Sequence, residues 1–353
     1  MTGEVLHHFG GRDVAGTGAP ADIVNPATGR RLAELRDASA EQVQDAVRAA
    51  KAAFEAGVWS SQPVKARQQV LRRMAAGIRA REAELVNLQV EEGGMVASQV
   101  RGQVGAAAGW FDYYADFLTT ASDQAHRQTP GATVLVTREP IGVCALFSPW
   151  NVPLALSAIK LAPALAAGNS VVLKPSEFTA RTARRLVDII LSSGLPEGAL
   201  NLVNGRGAVT GAALAQADGV DMISFTGGSG GGRQVAAAAA RRHIPCVMEL
   251  GGKSATLVFD DADFDAALKG AIRAAYGNNG EACLAGSRIL VQRGIAERFI
   301  AAFSARAAAL RLGDPADAAT EVGPMITAQH RDRVLAYCEE AAADGDTLLT
   351  GGR

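Results

Sequence analysis

Ser170-Val-Val-Leu-Lys-Pro-Ser-Glu177 is the stretch whose reading decides the fold. Val171, Val172 and Leu173 form a short unbroken apolar run, Pro175 halts it, and a helical pattern follows over residues 179–193. An apolar run bounded by turn residues and followed by a helix reads as a buried strand–helix unit. The unit recurs on both sides. Residues 141–147 read as a buried strand, 200–203 precede a helix over about 208–216, and 222–225 precede one over about 231–242. Residues 246–250 and 255–259 are further strands, and a helix–strand–helix series runs through 263–277, 288–292 and 296–312. This alternation predicts an α/β fold built on a doubly wound parallel sheet with helices on both faces.

Upstream the texture is helical. Ser39 and Gln42 are spaced as a capping box, and Val43, Ala46, Val47, Ala50, Ala53 and Phe54 share one helical face up to Gly57. Two more helices are expected over 64–80 and 82–92, and a longer one over 100–118, whose Trp110, Tyr113 and Tyr114 read as core aromatics. Residues 133–140 read as an extended strand ending at Pro140.

At 353 residues the chain has room for about two domains. Apolar residues make up 48% and charged ones 20%, a globular composition, and 35 basic against 36 acidic residues leave a net charge of −1. Nothing in that balance favours nucleic acid or an anionic membrane as a partner. The five histidines form no spaced cluster with cysteine, so no metal site is expected. Four scattered cysteines suit a reducing cytoplasm; Cys144, Cys246 and Cys338 read as small buried hydrophobes. The first residues lack the basic start and apolar stretch of a signal peptide, and the apolar segment 144–168 holds Pro149, Asn151, Pro153, Lys160 and Pro163, too many breakers for a membrane span.

Three groups carry chemistry. Cys283 stands among small residues in Gly280-Glu-Ala-Cys283, Glu249 lies 34 residues earlier in Met248-Glu-Leu-Gly-Gly-Lys253, and Asn151 falls in Ser148-Pro-Trp-Asn-Val-Pro153. A thiol to attack a carbonyl, an amide to steady the oxyanion and a carboxylate to activate water are the parts of thioester chemistry. The dinucleotide fingerprint is missing: Gly205-Arg-Gly207 lacks a third glycine, and Gly227 to Gly232 have the wrong spacing. That second run still follows a strand and precedes a helix, so its backbone N–H groups can hold a phosphate or simply make a tight turn. Lys174 and Glu177, just past a strand, are either ribose contacts or a surface ion pair.

In order along the chain, Ser-Pro-Trp-Asn-Val-Pro (148–153), Lys-Leu-Ala-Pro-Ala-Leu-Ala-Ala-Gly-Asn (160–169), Lys-Pro-Ser-Glu (174–177), Phe-Thr-Gly (225–227), Met-Glu-Leu-Gly-Gly-Lys-Ser (248–254) and Gly-Glu-Ala-Cys-Leu-Ala-Gly-Ser-Arg (280–288) resemble the aldehyde dehydrogenase superfamily. The resemblance implies Cys283 as nucleophile, Asn151 as oxyanion donor, Glu249 as general base and Lys160 as an aid to proton movement. It implies an extended nicotinamide cofactor, NAD with NADP as the alternative, over Trp150, Lys174, Ser176, Glu177, Phe225, Thr226, Gly227, Gly228, Ser229, Leu250 and Gly251. It also implies a cofactor domain of residues 1–127 and 141–250, an oligomerisation β arm at 128–140, a catalytic domain at 251–353, and a homodimer or homotetramer acting on a small aldehyde.

Two departures stand out. Gly228 takes the place of a usual serine, which implies looser cofactor binding. The chain also stops at Arg353 where the superfamily continues, so the catalytic domain is expected to be incomplete and the chain a fragment or truncated copy. Two alternatives to aldehyde oxidation stay open. One is acyl transfer to coenzyme A, which Glu249 disfavours; the other is an impaired paralogue serving only as a binding or subunit-interaction module.

Overall fold

The computed structural model describes residues 3–352. They form two compact units: residues 3–23, 32–85 and 101–249 make one, and 24–31, 86–100 and 250–352 the other.

The first unit is organised by a seven-stranded sheet in the spatial order Cys246–Leu250, Met222–Gly227, Val143–Ser148, Ser170–Pro175, Leu200–Leu202, His7–Phe9, Arg12–Val14. Met222–Gly227, Val143–Ser148, Ser170–Pro175 and Leu200–Leu202 run parallel, as the strand–helix alternation predicts. Every residue of Val143–Ser148 and Ser170–Pro175 is buried, as expected for central strands covered on both faces. Val143, Ala145, Phe147 and Val172 point to one face, where they meet Val43, Ala46, Val47 and Ala50 of the helix Ala40–Glu55. The helix Pro153–Ala166 packs on the same strands but contributes nothing to that cluster, and covers the other face; Ala180–Leu191 packs beside it and against Leu200–Leu202.

The capping box at Ser39 forms as expected: its hydroxyl accepts the Gln42 N–H, and the Gln42 side chain accepts the Ser39 N–H. Gly57, at φ +69°, follows that helix. The helices expected over 64–80, 82–92 and 100–118 are Val64–Arg79, Glu82–Gly93 and Ala97–Thr120. Tyr113, expected in the core, is 54% exposed, whereas Phe111 on the same helix is fully buried.

Other expectations needed correction. Five N-terminal strands, Glu4–Val5, His7–Phe9, Arg12–Val14, Pro20–Val24 and Arg31–Arg36, lie where the sequence pattern predicts no element. They are two to six residues long, and two of them close the large sheet in antiparallel pairing. The strand expected to reach Pro140 ends at Val136, and it pairs antiparallel with Gln124–Thr129 across Pro130 and Gly131. The helix expected from about residue 231 already begins at Ser229, so Gly230, Gly231 and Gly232 are helical and not part of the turn.

In the second unit Ala255–Val258 pairs in parallel with Arg288–Val291. Val258, Ala271 and Phe299 form its small core, with Phe264 edge-on to Phe299 at 5.8 Å. Asp263 caps the helix Phe264–Tyr276 by accepting the Ala266 N–H at 2.8 Å. The helix Ala328–Ala343, unread in the sequence, buries none of its residues. Among the described residues no helix is long and apolar enough to cross a membrane.

Candidate active site

The strand Val143–Ser148 delivers Trp150 and Asn151 into a turn, and Pro153 opens the helix that follows. The Ser157 hydroxyl lies 2.9 Å from the Ser148 hydroxyl and 2.6 Å from the Pro153 carbonyl, which staples the turn to the first helical residues. Trp150 and Asn151 are both half-buried. Farther along the same helix sits Lys160, 7% exposed, whose Nζ donates to Ser224 Oγ at 2.8 Å. Burial pushes its pKa down to about 8, against the opposing pull of Glu249 and Cys246. Lys160, Ser224, Cys246 and Glu249 therefore come together in the first unit. Glu249 itself is exposed on the strand Cys246–Leu250. Ser224 carried no motif; only the sheet register, which sets it beside Leu146, brings it to the lysine.

A second cluster gathers at the end of Ser170–Pro175. Lys174 is 4% exposed, donates to the Pro175 carbonyl at 2.7 Å, and lies 3.7 Å from the Glu177 carboxylate. Burial drives its pKa down, with Glu177 and Asp37 opposing. Ser176 caps the turn Glu177–Thr179, accepting the Phe178 N–H. Arg206 joins the group unannounced by any motif. Its backbone and guanidinium both bind Asp37, a carboxylate only 2% exposed, and its charge also reaches Glu177. Burial alone would raise Asp37; the Arg206 bonds, with the Arg206 and Lys174 charges, hold it below the usual carboxylate range.

The third element is the turn from Met222–Gly227 into Ser229–Arg241. Phe225 packs on Phe147 at 5.8 Å between ring centres and folds back over Gly227. A Cβ at Gly227 would stand 2.7 Å from the Phe225 ring, so only glycine fits there. Thr226 is half-buried, while Gly228 and Ser229 are exposed. Added Cβ atoms at Gly228 and Gly230 would meet nothing within 4 Å, which leaves open space at a helix N-terminus. Polar groups at the carboxyl ends of parallel strands, with a helix start among small residues, fit the phosphates and ribose of a nucleotide.

In the second unit Leu250 and Gly251 are exposed. Cys283 is an exposed thiol; Cys144 is buried and pushed up to about 12 by that burial. Cys338 proves exposed and Cys246 half-buried, so the reading of both as buried hydrophobes is corrected. The chain reaches Cys283 through three left-handed residues in succession, Asn278 (φ 53°), Asn279 (φ 58°) and Gly280 (φ 74°). Non-glycine residues persist in that region only when their surroundings hold them there. Buried Asn279 donates to the Gly94 and Pro324 carbonyls at 2.9 and 3.2 Å and accepts the Gly323 N–H at 2.8 Å. A Cβ on Gly252 would stand 3.5 Å from the Cys283 carbonyl, so Gly252 and Cys283 are neighbours within the second unit. Among the described residues no group of three or more His, Cys, Asp and Glu could hold a metal ion.

Comparison with known proteins gives one answer from sequence and structure alike. The model of the aldehyde dehydrogenase family matches residues 14–353. The 2-hydroxymuconic semialdehyde dehydrogenase of Pseudomonas sp. (strain CF600) is 38% identical over 358 residues, covering 99% of this chain and 73% of that protein. Betaine aldehyde dehydrogenase 2 of Rhizobium meliloti (strain 1021) is 40% identical over 330 residues, covering 93% and 68%. Among solved structures, betaine aldehyde dehydrogenase from Staphylococcus aureus in complex with NAD⁺ superposes with a TM-score of 0.96 at 33% identity, over 99% of this chain and 70% of that one. With a family match over nearly its whole length and the same α/β fold at such identities, this chain belongs to the aldehyde dehydrogenase family.

Proposed function

We propose that the chain oxidises an aldehyde to a carboxylic acid with NAD⁺, through a covalent thioester on Cys283. The observation that carries this reading is the exposed Cys283 thiol on a left-handed turn held by buried Asn279. The thiolate adds to the aldehyde carbon, and the side-chain amide of Asn151 with the Cys283 backbone N–H steadies the oxyanion. NAD⁺, when bound, supplies the hydride acceptor. Glu249 then takes a proton from the water that attacks the thioester, and the acid leaves with the thiol restored. Lys160, with its pKa pulled down to about 8, exchanges protons near neutrality and lies in the field of Glu249.

Lys174, Ser176, Glu177 and the turn Phe225, Thr226, Gly227, Gly228 and Ser229 hold the cofactor, with Trp150, Leu250 and Gly251 completing its lining. Glu177 favours NAD over NADP because its carboxylate repels a 2′-phosphate. Residues 1–127 and 141–250 serve as the cofactor domain and 251–353 as the catalytic one. The relatives are named as dehydrogenases of different aldehydes, so a panel spanning semialdehydes and betaine aldehyde is the starting point for substrate.

The test is the absorbance of reduced cofactor in rapid-mixing experiments. Cys283→Ala is expected to bind NAD⁺ normally and to oxidise nothing. Glu249→Gln is expected to give one burst of reduced cofactor per thiol and then stall. Steady turnover by Cys283→Ala would sink the reading, and unchanged steady turnover by Glu249→Gln would remove the base assignment alone.

A further inference from the structure

Glu281 stands two residues before Cys283, and neither the motifs nor the proposed mechanism gives it a task. Its side chain is only 3% exposed. Its Oε1 accepts the Ile326 N–H at 3.1 Å and lies 3.8 Å from His330 Nε2, near the start of the helix Ala328–Ala343. The turn between Asn278 and Cys283 is thus tied to the second unit at successive points. Gln99 accepts the Asn278 N–H at 2.6 Å, Asn279 spans Gly94, Gly323 and Pro324, and Glu281 reaches Ile326. Of these ties, Glu281 is the one that titrates and the nearest in sequence to the thiol.

A carboxyl in such a place is costly unless it holds something. Asn278 and Asn279 occupy the left-handed region, which costs a non-glycine residue and which it leaves more readily once its restraints go. We propose that Glu281 is a positioning residue for Cys283: its carboxyl fastens the end of the strained turn to the backbone at Ile326, and its ionisation tightens that hold. The inference rests on Cys283 being the reactive thiol.

Burial raises the Glu281 pKa to about 7, with the Ile326 N–H pulling the other way. Near neutrality the group therefore changes from a neutral acceptor to a carboxylate, and bonds to a charged acceptor are roughly twice as strong as neutral ones. Against it stands His330, which burial and the nearby Arg333 charge keep below its ordinary value. His330 is thus mainly neutral when Glu281 ionises, and the effect belongs to the carboxyl.

The experiment is iodoacetamide alkylation of Cys283, followed by peptide mass spectrometry so that Cys338 and the other thiols are counted apart. Rates are taken across the neutral range and corrected for the thiol's own titration. The wild-type rate per thiolate is expected to step upward near pH 7. Glu281→Ala is expected to lose the step and react about threefold or more slowly above it, the scale of one lost hydrogen bond. Glu281→Gln, whose amide oxygen still accepts from Ile326, is expected to regain much of the rate without the step. His330→Asn is expected to keep the step. A step that persists in Glu281→Gln, one that vanishes in His330→Asn, or a Glu281→Ala profile superimposable on wild type would each overturn the inference. Alkylation needs no turnover, so these outcomes stay separate from aldehyde oxidation by Cys283→Ala, which bears on the catalytic reading alone.

Discussion

Lys160 carries a charge where charge is expensive, and its position turns that expense into a measurable signal. The residue is 7% exposed and its pKa falls from 10.5 to about 8, because burial penalises the ammonium more than Glu249 and Cys246 support it. Between about 8 and 10.5 the unfolded chain binds more protons at this site than the folded one. Stability contributed by the site therefore rises with pH across that window, and below it the folded state bears the full cost. Replacing Lys160 with methionine removes the ammonium while keeping an unbranched side chain. Relative to wild type, Lys160→Met should be most stable at neutral pH, and its advantage should shrink as pH rises, by on the order of 3 kcal/mol at the outside. Urea unfolding at several pH values reads this directly. Parallel stability curves for the two proteins across the window would mean that the amine is not buried as a charge.

The helix Ser229–Arg241 shows how an element can form against local preference and what that leaves available. Three of its first four residues are glycines, each costing about 0.5–1 kcal/mol relative to alanine in a helix. Gly231 has a reason, since a Cβ there would press within 3.2 Å of the Phe225 ring; Gly230 would meet nothing. Gly230→Ala should accordingly raise stability by about 0.5–1 kcal/mol in thermal unfolding, and Gly231→Ala should gain less. Gly228, the helix cap, has extended backbone and open space around it. Gly228→Ser should place a hydroxyl beside the cofactor phosphates and tighten NAD⁺ severalfold by calorimetry, whereas a raised melting temperature with unchanged affinity would confine the hydroxyl to capping. Legibility followed the same division between local and distant causes. The capping box at Ser39 and the buried runs 143–148 and 170–175 could be read because each carries its signal within a few residues. The strand His7–Phe9 could not: its place depends on pairing with Leu200–Leu202 and on the His7 ring accepting the Asn204 N–H, 197 residues away. In the site, Lys160 and Lys174 were visible as motif residues, but Ser224, Asp37 and Arg206 become their surroundings only through sheet register and tertiary folding.

For the molecule as a whole, the hairpin Gln124–Thr129 and Ala132–Val136 is an element without internal support. Every residue in it is exposed, and among the described residues its two strands pair only with each other. A lone two-stranded hairpin is marginal in water, and this one carries three consecutive exposed apolar residues, Val134, Leu135 and Val136, of which Leu135 is 69% exposed. Strand edges with unpaired backbone groups and an apolar side recruit another strand unless something blocks them. The hairpin ends in Thr137-Arg138-Glu139-Pro140, with Arg138 donating to the Ser122 carbonyl and its N–H to Asp123, so its base is fixed while its strands stand out. We propose that this arm holds copies of the chain together as a closed symmetric oligomer, the form most self-association takes. Leu135→Lys puts a charge in the middle of the apolar stretch without touching the sheet of the first unit. It should lower the mass measured by sedimentation equilibrium towards that of one 36.4 kDa chain, with the circular dichroism of the folded protein retained. If the mass of Leu135→Lys equals that of the unaltered oligomer at every concentration, the arm is not the contact, because a lysine buried unpaired at an interface would cost more than such an interface can bear.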